Sequence, residues 1–134
     1  MKFILLSLLG LFNFYNSDDI IKHVHNASDL ESVIQHYNYI PDECNIDEFK
    51  SVDMFIHDRG GDCEDFAIFA CDILEYSGYE TKVFLLDKND GTSHAVCWYI
   101  SPDESGIFSN DERYSGWDID RFCNEFNYTI DRGW

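Results

Sequence analysis

The stretch RGGDCEDF, residues 59–66, sets a cysteine behind two glycines and among three carboxylates. A cysteine does nucleophilic chemistry as its thiolate, and nearby acids oppose that ionisation. The conflict is eased if Cys63 opens a helix. Exposed backbone N–H groups and the helix dipole then favour the thiolate. Asp62 can cap those N–H groups, and Asp65, three residues on, can bond back to the cap. Glu64 is left to face solvent or the substrate cleft. A cationic partner is still required.

His94 is the residue placed to be that partner. It opens the run HAVCWYI, after Gly91, Thr92 and Ser93. A histidine at a strand mouth can meet a helix start packed across the sheet. It would serve as base to the thiol and as acid to the leaving group. A third group should orient the imidazole from the neighbouring strand, GIFSN, which ends at Asn110 with Asp111 behind it. An amide or a carboxylate there could accept the ring N–H. Against this stands the plain alternative of a small buried cysteine and a hydrogen-bonded structural histidine. His57 is the fallback base. His23 and His25, with Cys44, have no recognised metal-binding spacing.

The elements that must position these groups follow from the pattern. NASDLESVIQHYNYI has cap candidates Asn26 and Ser28, then Leu30, Val33, Ile34 and Tyr37 at helical spacing. Ser28 and Glu31 form a capping-box pair, and the helix ends by Pro41. A short helical turn is expected around Ile46 to Phe55. The helix from Cys63 to Tyr76 closes at Gly78 in a left-handed C-cap. Cys63, Ala67, Ala70 and Leu74 share one face, and the two alanines permit close packing on a sheet. YETKVFLL, HAVCWYI and GIFSN read as three strands joined by turns. On alternation His94, Val96, Trp98 and Ile100 share one face, and Ala95, Cys97 and Tyr99 the other. Beyond Tyr114 no period is clear. Helices first and an antiparallel meander after them predict an α+β fold: N-terminal helices on a small antiparallel sheet, with the cysteine-bearing helix start facing that sheet.

The totals restrict the classes. At 134 residues the chain can build one domain with a real core, assigned to residues 17–134. Its hydrophobic fraction of 45% argues against disorder. A formal net charge of −17 repels phosphate backbones and anionic membranes, so nucleic acid is excluded as a partner and a basic peptide is compatible. Five cysteines leave an odd one, and none has CxxC spacing. That count favours a reducing, cytoplasmic setting with a free thiol over a disulfide scaffold. Residues 1–16 carry one lysine and an apolar run from Phe3 to Phe12. They read either as a signal peptide, which would imply secretion, or as a first helix. The run is too short to span a bilayer.

Taken together, GDCEDFAIFACDILEYSGY, HAVCWYI and IFSND resemble the transglutaminase-like superfamily of cysteine enzymes, a papain-related fold. The resemblance covers roughly residues 30–112. Gly61, Cys63, Gly78, Tyr79, His94 and Ala95 match its signature, and Tyr39 and Asp42 match a short upstream link. It implies Cys63 as nucleophile and His94 as base in acyl transfer on amide bonds: hydrolysis, deamidation or transamidation through a thioester. It implies a peptide or protein amide as substrate and no metal or organic cofactor. The family also includes inactive interaction domains, which is the alternative function. One departure concerns the third member. Ser109 stands where relatives carry an aspartate, with Asn110 kept. The register of the family pattern favours Asn110 as orienter. Electrostatics favours Asp111, although a further charge is less needed beside Asp62, Glu64 and Asp65. The balance falls on Asn110.

Overall fold

The computed structural model describes residue 14, residues 16–41 and residues 49–134. The apolar run at Phe3–Phe12, Asp42, Cys44 and the start of the turn expected from Ile46 lie outside the described residues. Helices α1 (Ser17–His23) and α2 (Ala27–Ile34) open the fold. Asn16 and Asn26 cap them by accepting the N–H groups of Asp19 and Asp29. The capping box expected from Ser28 and Glu31 does not form. Asn26 is extended and takes the cap, Ser28 lies inside the helix, and Glu31 accepts from Arg113 Nε at 3.1 Å.

A two-residue strand β1 (Asn38–Tyr39) runs parallel to β2 (Gly60–Gly61), with helix α3 (Val52–Asp58) between them in sequence. Gly60 has φ +144°, and any side chain there would run into the carbonyl of Asn38. Only glycine permits this pairing, which delivers the chain to the cysteine helix. Helix α4 (Cys63–Tyr76) follows, and Gly78 beyond it takes φ +90° as expected.

The remaining strands are β3 (Glu80–Asp87), β4 (Ser93–Ile100), β5 (Ser105–Ser109), β6 (Glu112–Ser115) and β7 (Thr129–Gly133), with helix α5 (Ile119–Phe126) before β7. They form one antiparallel sheet in the order β6-β5-β4-β3-β7. The fold is α+β, as the sequence predicts. The stretch after Tyr114, which shows no period, supplies α5 and β7. Its signals are local: Asp118 caps, and Phe122 and Phe126 lie one turn apart.

The sheet carries a layer on each face. On one side α4 packs Phe66, Ala67, Phe69, Ala70, Ile73 and Leu74 against Val83, Ala95, Cys97 and Tyr99. Ala67 and Ala70 are fully buried and let the helix backbone come close. Phe55 stacks on Phe69 at 4.4 Å and meets Phe66 edge-on at 5.0 Å. Such ring pairs add about 0.5–1.5 kcal/mol each beyond area burial. On the other side Leu86, Val96 and Ile107 meet Phe122 and Cys123 of α5, with Tyr114, Trp117 and Tyr128 around them.

Cys71 of α4 and Cys97 of β4 form a disulfide with Cα atoms 5.6 Å apart. The odd count favours a free thiol over a disulfide scaffold, and the structure holds both a bridge and free thiols. Residue periodicity places both cysteines on facing surfaces, which no CxxC spacing records. Cys63 and Cys123 are free. The bridge closes a loop across a sequence separation of 26. The chain-entropy relation gives about 3.5 kcal/mol for a loop of that size. Cys71→Ser is therefore expected to lower the urea midpoint of the oxidised protein, with no added loss on reduction. Equal midpoints for variant and wild type before reduction would count against a stabilising bridge.

Among the described residues, no helix is long and apolar enough to cross a membrane. No group of three His, Cys, Asp or Glu among them could hold a metal ion.

Candidate active site

The site lies where the start of α4 meets the end of the sheet. Asp62 is the N-cap of α4 and accepts the Asp65 N–H at 3.0 Å. Asp65 Oδ2 in turn accepts the Asp62 N–H at 3.1 Å, completing a capping box. Asp65 is almost fully buried, and its other oxygen accepts the Lys50 N–H at 2.8 Å. Burial raises the Asp65 carboxyl above its ordinary value, offset by the two backbone donors. Two of the three acids around the cysteine thus serve the helix start, as the sequence predicts. Lys50 adds a brace, with Nζ 3.0 Å from the Gly60 carbonyl and 3.1 Å from Asp58.

Cys63 is the first residue of α4 and is half-buried. Its sulfur accepts from the backbone N–H of Ala95, the residue after His94, and from that of Glu64. Burial pushes the thiol up, and Asp62 and Glu64 push the same way; the two N–H groups oppose them without cancelling. His94 is also half-buried. Burial holds its imidazole below the ordinary value, and the Lys88 ammonium adds to that. Both shifts favour a neutral thiol beside a neutral imidazole over an ion pair. Tyr128 closes the other side: its ring stacks on that of His94 at 5.8 Å and 25°. Burial first, and then the charges of Cys63 and Asp90, oppose ionisation of its phenol. Lys88 Nζ lies 4.7 Å from the Tyr128 ring centre.

The strand register explains which residue meets the imidazole. Cys97 pairs with Phe108 and Trp98 with Ile107. Continued by one residue, that register sets Ser109 opposite Val96, on the face His94 shares, and leaves Phe108 on the α4 side. His94 Nε2 lies 2.7 Å from Ser109 Oγ. Asn110 and Asp111, the expected orienters, make the turn from β5 into β6. Asn110 takes φ 51°, and its side-chain oxygen is buried with no hydrogen-bond partner among the described residues. His57, the fallback base, lies on α3 with its side chain 81% exposed and pairs with Asp58 at 3.1 Å.

Sequence reading missed two members of this site, Tyr128 and Lys88. Tyr128 follows the unrecognised α5. Lys88 sits in a turn whose position over the ring depends on β7 reaching β3. A local signal for Tyr128 exists: Asn127 ends α5 in the left-handed conformation, which turns the next residue back to the sheet.

No family model and no curated protein matches the chain. Solved structures do. Legionella pneumophila LapG aligns with a TM-score of 0.61 at 20% identity, over 92% of this chain and 70% of that one, and its calcium-bound form aligns equally well. A proposed cysteine protease from Cytophaga hutchinsonii aligns with a TM-score of 0.59 at 16% identity, over 95% of this chain and 46% of that one. The fold is transglutaminase-like.

Proposed function

We propose that the chain is a thiol enzyme that transfers acyl groups from peptide or protein amides, with Cys63 as nucleophile and His94 as base. The observation that carries this reading is the place of Cys63 as the first residue of α4, behind the Asp62–Asp65 capping box, with His94 near the start of β4 and hydrogen-bonded through Nε2. The neighbours support it: the Cytophaga hutchinsonii structure is that of a proposed cysteine protease. As the sulfur attacks the amide carbonyl, its proton passes to His94. The carbonyl oxygen gains the negative charge, and the backbone N–H of Cys63 is assigned to receive it. The C–N bond then breaks as His94 returns the proton to the leaving amine, and a thioester remains. Water releases an acid; an amine releases a new amide.

The state that reacts holds a thiol and a neutral imidazole. The acid limb of kcat/KM therefore marks protonation of His94, which burial and Lys88 depress. The alkaline limb marks loss of the thiol proton, which burial and Asp62 raise. Both limbs move outward, so the pH profile is expected to be a plateau wider than ordinary imidazole and thiol values would give. A narrow bell centred near neutrality would contradict the neutral pair.

A peptide library, incubated with and without a primary amine and read by mass spectrometry, tests the function and separates cleavage, deamidation and transamidation. Products that form equally with Cys63→Ala would refute it. The second reading, an interaction domain without catalysis, draws on the hydroxyl at the imidazole where the family resemblance implies a carboxylate. It predicts no product from any amide.

A further inference from the structure

We propose that Ser109 is the positioning residue of His94: its hydroxyl accepts the Nε2–H of the ring and leaves Nδ1 as the basic nitrogen, while Tyr128 holds the plane of that ring. The inference rests on the Cys63–His94 reading above, and it replaces both Asn110 and Asp111 in the orienting role. The geometry is a 2.7 Å contact from Ser109 Oγ to Nε2 and a stack of Tyr128 at 25°. Together they fix the two freedoms of an imidazole, its rotation and its tautomer.

A hydroxyl in this place does a different job from a carboxylate. Both accept the ring N–H, but a carboxylate also stabilises the imidazolium. Serine keeps the orientation and omits the charge. The surroundings account for the need. Lys88, from the β3–β4 turn, acts on the ring, and Tyr128, from the segment after α5, stacks on it and feels the charge of Cys63 from α4. Asp62 and Glu64 flank the sulfur, and Asp90 faces Tyr128. A further anion here would sit beside a developing thiolate already flanked by two acids. A neutral acceptor avoids that. The proton then moves during attack, not before it.

Nitrogen-15 NMR of histidine-labelled protein reads the tautomer directly, with the His94 signals identified by their loss in His94→Ala. Wild type is expected to show the Nε2–H tautomer, and Ser109→Ala a mixture of the two. Ser109→Asp is expected to keep Nε2–H and to move the His94 titration to higher pH. Iodoacetamide alkylation of Cys63 at neutral pH should slow about tenfold in Ser109→Ala, the size of one lost hydrogen bond. Ser109→Asp should rescue it and shift its onset to lower pH. Melting temperatures separate these effects from misfolding. An Nδ1–H tautomer in wild type, or a tautomer unchanged in folded Ser109→Ala, overturns the proposal. The tautomer is read without substrate, so failure to find an amide substrate would count against the enzymatic reading and leave this test in force.

Discussion

Cys63→Ala is expected to abolish amide-bond chemistry, by at least about 10³-fold in kcat/KM, while the protein stays folded. Alanine cannot form the acyl intermediate, so the loss falls on kcat. The fold should be indifferent for a local reason. Helix α4 is started by the Asp62–Asp65 capping box and by the pairing of β2 with β1, and neither uses the sulfur. Cys63 is only half-buried, and its thiol is held in an unfavourable setting for ionisation. Removing it is expected to change stability by about 1 kcal/mol or less. Urea unfolding and product analysis on one preparation check both halves. Retained turnover would move the nucleophile elsewhere; Cys123, the other free thiol among the described residues, is a buried residue of α5.

His94→Ala is expected to lower kcat/KM by about 10²–10⁴-fold, the range of a lost general base. The double variant with Cys63→Ala should be no worse than Cys63→Ala alone, because the two residues act on one proton. Fully additive losses would separate their roles. His57→Ala is the control: that ring is exposed and pairs with Asp58 on α3, so activity should not change. Replacement of His94 also removes the ring on which Tyr128 stacks. Some loss of stability should accompany the loss of rate, and the melting temperature measures it.

The start of α4 could be read from sequence because its determinants are local. The N-cap, its partner three residues on and the glycines before it all lie within six residues. Strands β3 to β5 were legible for the same reason, through alternation and turn residues. The face of β5 was not. Ile107 and Phe108 are both apolar because one meets α5 and the other meets α4. A strand buried on both sides gives no inward signal, and only the pairing of Cys97 with Phe108 decides that Ser109 shares the His94 face. The choice between Asn110 and Asp111 was therefore framed around the turn, when the hydroxyl before it meets the ring. The disulfide was hidden likewise: Cys71 and Cys97 become neighbours only when α4 lies on β4.

The return of β7 to β3 brings residues 129–133 beside a strand made some 45 residues earlier, and carries Tyr128 with them to the imidazole. During synthesis on the ribosome, the thiol and the histidine are therefore both translated before the ring that covers them. A nascent chain that stops short of α5 has Cys63 and His94 but no Tyr128 over the imidazole, and one face of the sheet lacks Phe122 and Cys123. Assembly order thus separates the making of the reactive groups from their alignment. On the proposed function, that interval keeps the pair unaligned while the unfinished chain and its neighbours on the polysome are the amides nearest to hand.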